Sequence, residues 1–133
     1  MTMPEPATPR ILIVDDEPDM VWAIGNALES DGHLVSSATS GAEAVDLLAQ
    51  VSFDIAFVDA MLPDWDGTEL AALIHQQQPL TAIILVSGYY YEEDLAITEG
   101  LQAGLYAGFV AKPFDLEDIR RQVRRALERH VEV

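Results

Sequence analysis

Four positions along the chain combine acid, hydroxyl and ammonium groups in a pattern that can manage a phosphoryl group. Asp15-Asp16 follow the apolar run Ile11–Val14, Asp59 follows Phe53–Val58, Ser87 follows Ala82–Val86, and Lys112-Pro113 follow Tyr106–Ala111. Adjacent acids facing one crevice repel each other, so a bound cation is the natural reason to keep Asp15 and Asp16 together with Asp59. An all-oxygen site suits Mg2+, which retains several of its waters; calcium or manganese would accept similar ligands. A carboxylate can also be a covalent nucleophile toward phosphorus, attacking in line with help from the cation. Asp59 fits that role, because the strand before it fixes its backbone against the first acids. The alternative is a turn aspartate, but Asp64 and Asp66 already serve the loop and the next helix start.

The remaining polar groups fit the same chemistry. The Ser87 hydroxyl can hydrogen-bond an oxygen of a phosphoryl on Asp59, and Gly88 lets the backbone come close to it. Lys112 is one of two basic residues among the first 113. Its ammonium would balance carboxylates first and phosphoryl charge afterwards. The Lys112–Pro113 bond can be cis or trans. The Met61 side chain is no ligand for a hard cation, but its backbone carbonyl can be one. Glu17 reads as a helix cap or as a weaker fourth acid. Phe109 is either an ordinary core aromatic or a partly exposed ring that swings inward when Ser87 moves toward the phosphoryl.

The elements that would position these groups alternate. Ile11–Val14 is a continuous apolar run, the pattern of a strand buried on both faces. Pro18 opens a helix in which Met20, Val21, Ile24, Ala27 and Leu28 recur at helical spacing, and Asp31-Gly32 ends it. A short strand is predicted over His33–Ala38. Ser40 with Glu43 makes a capping box for a second helix. A strand over Phe53–Val58, a helix capped by Asp66 over Gly67–Gln76 and a strand over Ala82–Val86 follow. Next come a helix over Glu92–Ala103 stopped by Gly104, a strand over Tyr106–Ala111, and a last helix capped by Asp115. Leu116, Ile119, Val123, Ala126 and Leu127 form one stripe of that helix. Five strands and five helices in alternation imply an α/β fold, a doubly wound parallel sheet with helices on both faces. Ligands bind such sheets beyond the carboxyl ends of the strands, where every polar signal above falls.

Composition narrows the function classes. The 133 residues suit one domain, expected over 10–130, with a disordered leader over 1–9 and a tail or linker start at 131–133. The chain has no cysteine, which excludes disulfides and thiolate chemistry. No apolar stretch reaches transmembrane length, and the start MTMPEPATPR lacks the regions of a signal peptide, so a cytoplasmic setting is the default expectation. A formal net charge of -16 repels polyanions, so direct nucleic-acid binding by this segment is not expected. Five of the seven basic residues are Arg120, Arg121, Arg124, Arg125 and Arg129. Arg121, Arg124 and Arg125 are expected to pair with Glu117, Glu128 and nearby acids on a solvated face, or the arginines to meet the acidic body of a second copy at a dimer or output interface. His33, His75 and His130 lack partners at metal-ligand spacing and read as surface residues.

Taken together, ILIVDDEP at 11–18, DIAFVDAMLPDWDG at 54–67, ILVSG at 84–88 and FVAKPF at 109–114 resemble the receiver domain of two-component response regulators. The resemblance covers about residues 9 to 130 and rests on the ordered set of motifs. It implies a flavodoxin-like five-stranded sheet of order 2-1-3-4-5. It also implies that Asp59 accepts a phosphoryl group from a sensor histidine kinase or histidine phosphotransfer protein. Asp15 or Asp16, Asp59 and the Met61 carbonyl would hold Mg2+, Ser87 and Phe109 would form a switch pair, and Lys112 would bind the phosphoryl. The fourth helix, fifth strand and fifth helix would make an output or homodimer face. Ser87 and Lys112 lie 25 residues apart, about three more than in compact members, and Tyr89-Tyr90-Tyr91 is unusual there. Met61 and Tyr89 would flank the path of a hydrolytic water, which predicts a long-lived phosphorylated form. Two other readings compete. An aspartyl-nucleophile phosphohydrolase would place its nucleophile after the first strand in a DxD pattern, where this chain has Asp15-Asp16-Glu17. A binding module that is not phosphorylated would be expected to lose Asp59 or Lys112, and both are present.

Overall fold

A computed structural model describes residues 8–88, 99–100 and 102–131, with side chains placed within them up to residue 128. The strands are β1 (Arg10–Val14), β2 (Leu34–Ala38), β3 (Ile55–Asp59), β4 (Ala82–Ser87) and β5 (Gly108–Ala111). The named helices are α1 (Pro18–Ser30), α2 (Gly41–Leu48), α3 (Gly67–Gln77) and a C-terminal helix, α4 (Leu116–Val131). All neighbouring strands pair in parallel, in the order β2-β1-β3-β4-β5. The expected strand order holds. Most of the expected helix over Glu92–Ala103 falls outside the described residues. Glu99, Gly100 and Gln102 are helical, and Gly104 turns the chain out with φ +76°.

Alternation along each strand divides the core in two. Leu12, Val14, Ala56, Val58, Ile83 and Leu85 point to the side covered by Ala44 and Leu48 of α2 and Leu70, Ala71 and Ile74 of α3. Ile11, Ile13, Ile55, Phe57, Ile84 and Val86 point to the side covered by Ile24 and Leu28 of α1 and Ile119, Val123 and Ala126 of α4. Because successive side chains face opposite ways, strands apolar at every position can feed both layers.

Helix ends follow sequence chemistry with two changes. Ser40 caps α2 through its Oγ, which accepts the Glu43 amide at 3.2 Å. The second half of that capping box is redirected, since the Glu43 carboxylate accepts from the Thr39 hydroxyl at 2.7 Å. A full reciprocal box forms at α4 instead. There the Asp118 amide donates to Asp115 Oδ1 at 2.9 Å and the Asp115 amide to Asp118 Oδ2 at 3.2 Å. Asp66 caps α3 by accepting the Thr68 amide at 2.9 Å. Glu17 occupies the N-cap position of α1, yet its side chain makes no cap bond.

The arginines of α4 are partly explained by local pairing. Arg124 meets Glu117 at 2.8 Å and Arg121 meets Asp118 at 3.2 Å. Arg120 reaches across to Asp31 at the end of α1, at 2.8 Å, a link that sequence spacing does not reveal. Glu117 is held below the ordinary carboxylate range by Arg124, and Arg120 is held above its usual value by Asp31. His75 is exposed as expected, while His33 is half-buried with Nδ1 enclosed, because it sits in the turn that Gly32 (φ +94°) makes under α1. The His130 side chain falls outside the described residues.

Candidate functional site

The carboxyl ends of β1, β3, β4 and β5 bring the predicted polar groups to one edge of the sheet. Asp59 is the last residue of β3 itself, which runs one position past its expected end at Val58. Asp15 continues β1, its amide donating to the Ala38 carbonyl at 3.1 Å. Each of these acids spends one oxygen on local backbone: Asp15 Oδ1 accepts the Glu17 amide at 2.9 Å, and Asp59 Oδ1 accepts the Met61 amide at 3.0 Å. Those bonds fix both rotamers. The second oxygens converge on the Lys112 ammonium, Asp15 Oδ2 at 3.0 Å and Asp59 Oδ2 at 3.1 Å. Glu17 Oε1 approaches the same nitrogen at 3.4 Å from the solvent side. The Glu17 side chain therefore belongs to the charge cluster and does not cap α1.

Burial differs among the acids. Asp15 is 3% exposed and Asp59 6%, while Asp16 and Glu17 face solvent. One carboxylate oxygen from each of Asp15, Asp16 and Asp59 lies within 4.8 Å of the others. Four carboxylates, three of them on the one ammonium, leave an excess of negative charge, and the three oxygens of Asp15, Asp16 and Asp59 lie close enough to coordinate a divalent cation. Burial raises the Asp59 carboxyl above its ordinary value, against the pull of the Met61 amide and of Lys112, while the charge of Asp15 pushes the same way as burial. Burial would lower Lys112, but its hydrogen bonds to Asp15 and Asp59 outweigh that and hold the ammonium above its usual range. The cluster thus keeps its lysine charged.

The other predicted residues are brought alongside. Ser87 ends β4, is buried, and pairs with Ala111 of β5; its carbonyl accepts the Lys112 amide at 2.8 Å. The Lys112–Pro113 bond is cis. Gly88 lies next to Lys112, with room for an added Cβ at 3.9 Å from that side chain. Phe109 sits in β5 opposite Leu85, half-buried against the layer under α2 and α3. Met61 is 57% exposed at the mouth. Tyr89, Tyr90 and Tyr91 lie outside the described residues.

Several supporting residues have no clear signal in the sequence. Gly67 packs against the back of the site: its amide donates to Ala60 at 2.9 Å, and an added Cβ would strike the Asp59 carbonyl oxygen. Asp64 does not merely serve its own loop, because both its oxygens accept amides of α2, Gly41 at 2.8 Å and Ala42 at 3.0 Å. The Gly41 amide holds the Asp64 carboxyl below its ordinary range. At the opposite pole, Gln78 takes the Phe53 amide at 2.9 Å and donates to the Leu48 and Val51 carbonyls.

Known proteins match this chain in sequence and fold. A family model for the response regulator receiver domain matches residues 11–124. The chain belongs to that family. The transcriptional regulatory protein TcrA of Mycobacterium tuberculosis is 33% identical over 118 residues, covering 86% of this chain and 44% of TcrA. A CheY-like receiver domain protein from Methanospirillum hungatei has a similar structure, with a TM-score of 0.85 and 29% identity, covering 96% of this chain and all of that one. The Thermotoga maritima response regulator TrrA, solved in complex with Mg(2+)-BeF, gives a TM-score of 0.77 at 27% identity, covering 90% of this chain and 99% of TrrA. The chain spans less than half the length of TcrA and still smaller shares of some other curated relatives. This receiver domain is a phosphorylation-dependent switch, with an acidic cluster able to bind a divalent cation. Among the described residues, no helix is long and apolar enough to cross a membrane.

Proposed function

We propose that Asp59 is the phosphoacceptor and that Asp15, Asp16, Asp59 and the Met61 carbonyl hold Mg2+. The observation that carries this reading is the convergence of buried Asp15 and Asp59 on Lys112, with Asp16 completing the oxygen cluster. Bound Mg2+ supplies charge neutralisation at the oxygens of the transferring group. A carboxylate oxygen of Asp59 forms a bond to phosphorus as the phosphorus–nitrogen bond of a phosphohistidine breaks. The imidazole nitrogen keeps that electron pair. Lys112 exchanges its bonds to the carboxylates for one to a phosphoryl oxygen, which its position between them favours. The Ser87 hydroxyl donates to another phosphoryl oxygen, and Phe109 turns inward as Ser87 shifts.

The phosphodonor is a sensor histidine kinase or a histidine phosphotransfer protein, acting in the cytoplasm. Hydrolysis of the acyl phosphate by an in-line water returns Asp59 to its starting state. Met61 at the mouth hinders that water, so the phosphorylated form is long-lived; loss of the phosphoryl within seconds in purified protein would contradict this. The β5 and α4 surface, with the segment over 92–103, serves as the output or homodimer face. Sedimentation of phosphorylated and unphosphorylated protein tests that assignment.

The deciding experiment is intact mass after incubation with Mg2+ and acetyl phosphate, for wild type and Asp59→Asn. One added phosphoryl in wild type alone is expected. Equal labelling of both proteins, or labelling of neither while Mg2+ binds, refutes the assignment of Asp59 as an acceptor of small-molecule phosphodonors.

A further inference from the structure

The loop between β3 and α3 is gripped at its tip by a different helix. It folds back on itself: Met61 and Asp66 form an isolated antiparallel bridge, and the Leu62 amide donates to Trp65 at 3.3 Å. At the turn, Asp64 accepts the first two amides of α2, Gly41 at 2.8 Å and Ala42 at 3.0 Å. These donors are distinct from the Glu43 amide that Ser40 takes. Trp65 lies across Gly41 so closely that any Cβ there would meet the ring. The near end of the same loop carries Met61, whose amide donates to Asp59 Oδ1 at 3.0 Å.

We infer that Asp64 is a positioning residue for the phosphorylation site, clasping α2 to fix the loop that presents Met61 to the cation and to Asp59. The inference rests on the roles proposed above for Asp59 and Met61. Asp64 touches neither the cation nor the phosphoryl group; it acts through the loop. A charged acceptor on helix-terminal amides is a strong anchor, since the bonds are charge-assisted and the helix dipole favours the anion. An unanchored loop would have to be ordered when the cation binds, and that entropy would appear as weaker binding. The Ser40 cap holds the same helix through a bond to the Glu43 amide rather than to the loop, which separates helix stability from positioning.

The test is Mg2+ titration of the full chain by Trp65 fluorescence in a Trp22→Phe background, with circular dichroism to establish folding. Asp64→Ala is expected to raise the Mg2+ dissociation constant about tenfold, the scale seen when an outer-shell partner of a metal ligand is lost. Asp64→Asn keeps one acceptor but loses the charge and the second acceptor, so it should fall between wild type and Asp64→Ala. Ser40→Ala should lower the unfolding midpoint and leave Mg2+ binding unchanged. If Asp64→Ala does not fold, Asp64→Ser repeats the test, because its shorter side chain cannot bridge both amides. Wild-type affinity in Asp64→Ala or in its Ser substitute overturns the inference, as does an equal loss in Ser40→Ala. A wild type that shows no Mg2+ response, or an Asp59→Asn variant that binds like wild type, overturns the site reading itself and this inference with it.

Discussion

Replacing the proposed phosphoacceptor should make the metal-free protein more stable. The charge on Asp59 gains from Lys112 at 3.1 Å, about 5 kcal/mol at an effective dielectric near 20. Repulsion from Asp15, with carboxylate oxygens within 4.8 Å, costs at least about 3.5 kcal/mol on the same scale. Exposed Asp16 adds a screened share, so the charge terms nearly cancel. What remains is the cost of burying a carboxylate that is 6% exposed, consistent with its raised pKa. Asparagine removes that charge, keeps an acceptor for the Met61 amide, and leaves Lys112 paired with Asp15 and Glu17. Asp59→Asn should therefore gain on the order of 1–2 kcal/mol in EDTA at pH 7, or about 4–8 °C in Tm for a chain of this size. The sign with pH follows from proton uptake. An acid whose folded pKa is raised holds more protons in the folded state above 3.8, so its contribution to wild-type stability falls as pH rises through that window. The advantage of the variant should be largest at neutral pH and shrink on acidification toward pH 4. Saturating Mg2+ should narrow it too, because wild type binds the cation better. Urea unfolding followed by circular dichroism, at two pH values and with or without Mg2+, reads all three effects. A variant no more stable than wild type in EDTA at pH 7, or a gap that widens on acidification, would refute the reasoning.

Three further outcomes are expected. Lys112→Ala leaves Asp15 and Asp59 buried without their counter-ion and should cost about 3 kcal/mol in EDTA, much of it recovered in Mg2+; denaturant melts check this. Gly67→Ala forces a methyl against the Asp59 carbonyl and should lose about 1–3 kcal/mol along with phosphorylation rate, measured by melts and by the mass assay. Gln78→Ala strands the Phe53 amide and removes donors to the Leu48 and Val51 carbonyls. It should cost about 2–3 kcal/mol while leaving Mg2+ affinity unchanged, because Gln78 lies at the opposite pole of the sheet.

Much of this molecule is legible along the chain because its signals are local. Apolar runs too short for helices mark β1, β3 and β4, and an acid, hydroxyl or lysine closes each strand of the site. Pro18 marks a helix start through its fixed φ, and Ser40, Asp66 and Asp115 do so through bonds to amides only a few residues away. Boundaries shifted by a residue or two where pairing, not composition, sets them: Asp59 and Ser87 still take part in the sheet and so count within their strands.

What the sequence could not decide is where long-range partners meet. Glu17 looks like a helix cap or a weaker fourth acid of the site, and Asp64 like a loop-turn residue. Folding sends Glu17 to an ammonium 95 residues away and Asp64 to amides 22 and 23 residues away. Arg120, surrounded by acids of its own helix, instead finds Asp31. Composition and periodicity determine that the sheet is parallel and which side chains leave its edge, because those follow from repeat geometry and burial. Which oxygen faces which nitrogen depends on how α1, α2 and the β3–α3 loop pack in space, and only the tertiary structure settles that.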